Sequence, residues 1–320
     1  MAVSRNLLTL AACTSLLVGI GAPVHAVDEP NPLDVIQSVA PEVLAAAADD
    51  PSAPAGGDDA VVVDAGDATA MLPDDPTDGV TLGADDGDTM SIGLPNASEA
   101  DAAEAEAAGV VSYDNGDGST TVPVVRDDAS VQILTVIDGP EAPREYVYPL
   151  ELPDGAALHL DEASGFVSIL SSDGEFLGGV APAWAKDAMG ADVATHYEVV
   201  GTTLTQVVEH SAGVAYPVVA DPWLGMALVQ RVVWTSSMKT LQVYSTDFAR
   251  VATNLARWAG WAEVQIKTPG TRENTTSMQD QYLCHFDAVR LRKPDKPSWN
   301  LDLGRPNVSW AKMLLSSCNP

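Results

Sequence analysis

Val131-Gln132-Ile133-Leu134-Thr135-Val136-Ile137 is rich in β-branched side chains and ends at the turn signal Asp138-Gly139-Pro140. Such a run is too short for a helix of ordinary length and reads as a strand. Four further runs share its texture: Glu145-Tyr146-Val147-Tyr148, Phe166-Val167-Ser168-Ile169-Leu170, His196-Tyr197-Glu198-Val199-Val200 and Thr203-Leu204-Thr205-Gln206-Val207-Val208. Asp154-Gly155, Asp173-Gly174 and Gly201-Thr202 punctuate them. The spacing predicts a small antiparallel β module of about five to seven strands over 127–222, closed as a sandwich or partial barrel.

Upstream, residues 27–126 are dominated by Ala, Asp, Gly, Pro and Thr, with no Lys or Arg between Arg5 and Arg126. Their large apolar side chains are too sparse to offset a backbone ordering cost of about 1–2 kcal/mol per residue, which predicts an acidic disordered arm over 27–126. Asp34-Val35-Ile36 and 44–48 are expected to form no more than transient helical turns. Asp85-Asp86-Gly87-Asp88 and Asp114-Asn115-Gly116-Asp117-Gly118 lack the alternating ligands and closing glutamate of a helix-loop-helix calcium site, so they read as soluble turns.

Downstream, residues 223–320 predict a compact α+β domain. Strands are expected over 228–234 and 240–244. Thr246 is placed to cap a helix whose apolar stripe is Phe248, Val251, Ala252, Leu255, Trp258, Ala259 and Ala262, with Arg250 and Arg257 on the wet face. A second helix is expected from Thr276 or Ser277 to about Ala288, and a short last one over 310–317.

Charge is strongly partitioned. Residues 27–222 hold three basic and thirty-eight acidic side chains, a net −35, whereas 223–320 hold twelve basic and seven acidic ones, a net +5. Such asymmetry points to a solvated or interacting acidic tail. At the start, Arg5 precedes an apolar run over 7–22 and the small-residue site Val24-His25-Ala26, the anatomy of an export signal over 1–26. Leu10-Ala11-Ala12-Cys13 also resembles a lipobox, the alternative in which Cys13 carries a lipid. With the signal removed only Cys284 and Cys318 remain, and in an oxidising compartment they are expected to pair.

No diagnostic nucleophile, metal set or phosphate loop stands out, and no cofactor is expected. Cys284 and His285 are neighbours, but adjacent helical residues point about 100° apart and do not make a nucleophile and its base. Glu263, His285 and Arg305 are the candidate trio for acid-base work on a phosphodiester. The competing reading pairs Glu263 with Lys267, packs His285 and pairs Arg305 with Asp302. Arg290, Arg292, Lys293 and Lys296 form the densest basic patch, suited to an anionic envelope component or to the chain's own acidic arm. It lacks a nucleic-acid motif. His159, His196 and His210 lie in strand-like contexts and read as surface or packing residues.

Two resemblances complete the reading. Tyr216-Pro217-Val218-Val219-Ala220-Asp221-Pro222-Trp223, with Ala181-Pro182-Ala183-Trp184-Ala185-Lys186-Asp187 and Thr195-His196-Tyr197-Glu198-Val199 before it, looks like a segment found in secreted actinobacterial proteins ahead of varied C-terminal domains. That resemblance implies a spacer. Trp261-Ala262-Glu263-Val264, Met278-Gln279-Asp280-Gln281-Tyr282-Leu283-Cys284-His285, Ser298-Trp299-Asn300-Leu301-Asp302, Arg305-Pro306 and Cys318-Asn319-Pro320 together resemble the actinobacterial family called domain of unknown function 2599. That family implies a secreted domain with no assigned activity. The expectation is a secreted, non-enzymatic binding protein; the alternative is an exported effector or toxin whose C-terminal domain is a nuclease-like enzyme.

Overall fold

Every side chain of Val131–Ile137 is buried, because this strand is covered on both faces. In the computed structural model, which describes Met1 and residues 31–52, 58–84, 87, 89–268 and 276–320, seventeen strands build the first part of the chain. Two short helices precede them, α1 (Pro32–Val39) and α2 (Pro41–Leu44). The strands are β1 (Asp59–Asp64), β2 (Ala68–Pro73), β3 (Val80–Ala84), β4 (Thr89–Ile92), β5 (Glu104–Ala107), β6 (Val110–Asp114), β7 (Ser119–Val125), β8 (Val131–Ile137), β9 (Glu145–Glu151), β10 (Ala157–Leu160), β11 (Val167–Leu170), β12 (Phe176–Val180), β13 (Trp184–Lys186), β14 (Thr195–Val200), β15 (Thr203–Val208), β16 (Val218–Asp221) and β17 (Trp223–Gly225).

They form two antiparallel sheets. One has the order β1-β2-β3-β4-β9-β15-β14; the other runs β10-β11-β12-β17-β8-β7-β6-β5, with β16 also paired to β8 and β13 to β16. β8 pairs with β7 along its whole length and, on its other edge, with β16 and then β17. Odd positions Val131, Ile133 and Ile137 enter the core between the sheets. Even positions Leu134 and Val136 meet Val35, Ile36, Val39 and Val43 of α1 and α2 on the outer face. Period-2 geometry turns one continuously buried run into two cores.

This arrangement corrects the disordered arm. Residues 31–126, expected to be unstructured, supply both helices and β1–β7. Composition concealed an alternation: Val61, Val63, Ala70, Leu72, Leu82, Met90 and Ile92 are buried, while the acidic residues cluster at turns. There Asp64, Asp75, Asp114 and Asp128 each accept a hydrogen bond from the backbone N–H two residues on, at 2.8–3.0 Å. Aspartate in this sequence is turn chemistry as much as solubility. α1 is likewise a formed helix, capped by Asn31 Oδ1 accepting from Leu33 N at 2.9 Å with Pro32 in its first turn. The export segment at 2–26, Cys13 included, lies outside the described residues, as do Asp85, Asp86 and Asp88.

The boundaries move too. β1–β4 share a sheet with β9, β15 and β14, so 27–126 and 127–222 are not successive modules. The spacer-like segment around Pro217–Pro222 is itself structural, since β16 and β17 complete the central strand's second edge. β17 belongs to the larger sheet, so the C-terminal part begins just after it, with β18 (Val229–Trp234).

β18, β19 (Thr240–Ser245) and β20 (Trp299–Asp302) form a small antiparallel sheet in that order. Against it pack α3 (Asp247–Val251), α4 (Arg257–Lys267), α5 (Thr276–Cys284) and a π-turn over His285–Val289, followed by α6 (Arg290–Arg292), while α7 (Trp310–Leu315) packs on α5. Thr246 does cap α3, accepting from Ala249 N at 3.0 Å. The single helix expected through Ala262 is broken, because Ala252 adopts extended dihedrals and a 3-10 turn intervenes before α4. The α+β description fits this part alone; among the described residues as a whole, strands far outweigh helices. The two parts share a core: Phe166 and Phe176 of the first lie in the same cluster as Phe248, Trp261, Tyr282 and Trp299. Cys284 and Cys318 form the expected disulfide, with Cα atoms 5.5 Å apart. Among the described residues no helix is long and apolar enough to cross a membrane.

Candidate functional site

Each member of the candidate trio is held by its own partners and none hydrogen-bonds another. Glu263 sits on the buried side of α4 and accepts hydrogen bonds from Leu228 N, at 3.0 and 3.1 Å to its two oxygens, and from Val229 N at 2.8 Å. It thereby clasps the joint where the chain leaves β17 for β18. Burial pushes its carboxyl up to about 7, against the opposing pull of the Val229 amide and Lys267.

His285 opens the π-turn and is fully buried. Its Nδ1 lies 2.7 Å from Gln281 O and its Nε2 3.0 Å from Lys296 Nζ. The carbonyl can only accept and the ammonium only donate, so the ring is neutral with its proton on Nδ1. Burial first, and then Lys296, push its pKa down to about 4. Arg305 is at the surface, with Nη2 donating to Asp302 Oδ2 at 2.8 Å and Nη1 to Pro320 O at 3.1 Å. His285 therefore packs and Arg305 pairs with Asp302, whereas Glu263 holds backbone and leaves Lys267 to pair with Asp67.

The basic patch is also dispersed. Arg290 is buried, donating to Arg250 O at 3.1 Å and Asn254 Oδ1 at 2.9 Å and reaching Phe286 O. Lys296 turns inward to His285. Only Arg292 and Lys293 remain exposed. A guanidinium with several donors is well suited to gather buried carbonyls, which is why Arg290 points into the fold. The acidic stretch is no free arm, so it cannot fold back on this patch. His210 is a packing residue, with ring nitrogens 2.8 Å from Tyr216 Oη and from Pro143 O. Among the described residues no cluster of His, Cys, Asp and Glu could hold a metal.

Where α4 faces the sandwich there is a cleft of about 610 Å³. One wall is Leu255, Trp258, Ala259, Ala262 and Ile266; the other includes Ala68, Ala84, Phe176 and Leu177, with Met226 and Ala227 between. Asp67, Glu175, Glu263 and Lys267 supply its charge. Leu255 is 59% exposed, Trp258 52% and Ile266 81%. Large apolar side chains left this open on one helix face mark a surface suited to binding. The sequence reading placed Leu255 and Trp258 in the core stripe and passed over Ile266. The signal was a stripe too wide for one helix: the break at Ala252 keeps Phe248 and Ala252 inside and turns Leu255 and Trp258 into the cleft.

A second polar cluster lies at the junction. Arg126 stacks over Trp223, 4.1 Å from the ring centre, donates to Gln132 Oε1 at 2.8 Å and lies 3.8 Å from Asp247. Gln132 Nε2 in turn bonds Asp221, whose buried carboxyl is pushed up to about 7 by desolvation.

Residues 229–320 match the model of the family described as Protein of unknown function (DUF2599). Uncharacterized proteins of Mycobacterium bovis and Mycobacterium tuberculosis are each 37% identical over 117 residues, covering 32% of this chain and 78% of the relative. No solved structure matches the chain. The family match begins at the first residue of β18, the point at which the small sheet starts.

Proposed function

Because this chain belongs to the DUF2599 family, whose description assigns no chemistry, we propose a role from its cleft: an exported, non-enzymatic binding protein acting outside the cell or at the envelope. The observation that carries this reading is the open apolar face made by Leu255, in the 3-10 turn before α4, with Trp258 and Ile266 on α4, set opposite a second apolar wall. The engagement of Glu263, His285 and Arg305 by different partners supports binding over acid-base chemistry, since a base must be free to reach the proton it takes. The disulfide and the leader anatomy at 1–26 support export.

A neutral solvatochromic dye, Nile red, tests the cleft. It is expected to brighten and shift to the blue with the folded protein, and to lose most of that response in the double variant Trp258→Ala, Ile266→Ser. Both side chains are largely exposed, so their removal leaves the core intact. No dye response, or an equal response in the variant, would remove the cleft as a binding surface.

A further inference from the structure

The reading of the cleft as a binding surface leaves its occupant open, and three observations narrow it. The apolar stripe Trp258, Ala262 and Ile266 follows α4, with Leu255 extending it from the 3-10 turn just before, and the helix's 11 residues give it a length of about 16 Å at 1.5 Å per residue. That is three turns of a second helix. Its large side chains are more than half exposed in the free protein, whereas the walls of a small-molecule pocket already enclose most of their ligand. A macromolecular surface is what would cover them.

Charge supplies the third observation. At the cleft Lys267 pairs with Asp67 and Glu263 turns its oxygens onto the amides of Leu228 and Val229, which leaves Glu175, among the described residues, as the exposed, unpaired carboxylate of the lining. Asp173, exposed beside Glu175, adds to the same edge. Behind them stands a sandwich drawn from a segment of net charge −35. An acidic partner is repelled at this face and a basic one is drawn to it.

We propose that the cleft receives a basic amphipathic helix of a partner protein. Its apolar stripe lies along Leu255, Trp258 and Ile266, and its cationic flank faces Asp173 and Glu175. This is the helix-in-groove mode, in which anchors at i, i+3, i+4 and i+7 supply affinity and flanking charge selects the partner. The inference rests on the cleft reading of the previous section.

Two capped peptides of fourteen residues test it, with leucines at helical spacing on one face and either lysines or glutamates at all other positions. By fluorescence anisotropy the lysine peptide is expected to bind at least tenfold tighter than the glutamate peptide. Its binding should weaken at least tenfold in the Trp258→Ala, Ile266→Ser double variant and severalfold in Glu175→Lys, an exposed site where loss of fold is not at issue. Raising salt should weaken it as well. Lysine-peptide binding that is untouched by the double variant would mean diffuse attraction to the acidic sandwich and would overturn the proposal. So would equal affinity for the two peptides, or no binding of either. If Nile red still reports the cleft in those cases, the partner class alone falls; if the dye fails too, the cleft reading falls with it.

Discussion

Gly260 on α4 presses against the hydroxyl of Tyr282 on α5, so closely that a Cβ at position 260 would overlap that oxygen. The tyrosine cannot retreat, because its ring is wedged among Trp261, Phe286 and Trp299 at centroid distances of 5.6–6.1 Å. Gly260 thus sets the spacing of α4 from α5, and through it the position of one wall of the cleft.

Gly260→Ala is therefore expected to destabilise the protein by about 2 kcal/mol, overpacking outweighing the helix-propensity gain of about 1 kcal/mol. The Tyr282 hydroxyl is buried with no hydrogen-bond partner among the described residues, so Tyr282→Phe alone should cost little. The double variant should recover most of the loss. Urea unfolding of the four proteins closes the cycle, and a double variant no better than Gly260→Ala would show that the hydroxyl is not what the alanine meets.

Glu263 does at the joint what a cap does at a helix end. Its removal in Glu263→Ala leaves the amides of Leu228 and Val229, both fully buried residues, without their acceptor. Each stranded donor costs about 1–3 kcal/mol, offset in part by no longer burying a carboxylate. A net loss of about 2–4 kcal/mol is expected from the urea midpoint. Glu263→Gln keeps one carbonyl oxygen and should lose less than half as much; equal losses would assign the effect to charge instead of hydrogen bonding.

How much of this was legible in the sequence follows from which physical signal each part sends. The five strand runs recognised from β-branched texture coincide with β8, β9, β11, β14 and β15, because each is dense in Val, Ile, Leu, Tyr or Thr and is flanked by turn residues. Strands β1–β4 are hidden because their inward residues are mostly small or β-branched and many of their other positions are Asp, Ala, Thr, Ser and Gly, an average composition close to that of a disordered chain. Only alternation separates the two cases. The disulfide and the Thr246 cap were readable from local rules. The cleft was not, since it is made by a helix break at Ala252 and by side chains some eighty to two hundred residues apart in the chain, such as Phe176 and Lys267 with Asp67.

The disulfide closes a separation of 34 residues and ties α5 to the segment after α7. Chain entropy alone makes such a link worth about 3–4 kcal/mol. The reduced protein, or the double variant Cys284→Ser, Cys318→Ser, should unfold at correspondingly lower urea, with α7 losing its protection from hydrogen exchange first. Met313 and Val289, with Val308 and Leu314 partly buried beside them, form the apolar cover of that bridge, so the last helix is held largely around the disulfide. An unchanged midpoint on reduction would contradict the expected lock.

Asp221 makes the fold sensitive to pH with a sign opposite to the usual carboxylate. Its folded pKa of about 7 stands above the ordinary value of 3.8 because burial outweighs the hydrogen bond from Gln132 and the more distant Arg126. Between these values the folded state holds a proton that the unfolded state has lost. Its contribution is fully present below about pH 4 and is lost as pH rises through 7. Glu263 acts in the same direction. His285, pushed down to about 4, opposes both, since it loses stability as pH falls below its ordinary 6.5. Asp221→Asn preserves the acceptor for Gln132 and abolishes only its own titration. Between pH 5 and 7 the fall in unfolding free energy with rising pH should therefore be shallower in this variant, by up to about 1.4 kcal/mol per pH unit. A slope in Asp221→Asn indistinguishable from that of the unaltered protein would mean that Asp221 is already ionised in the fold, with Arg126 as its effective counter-ion.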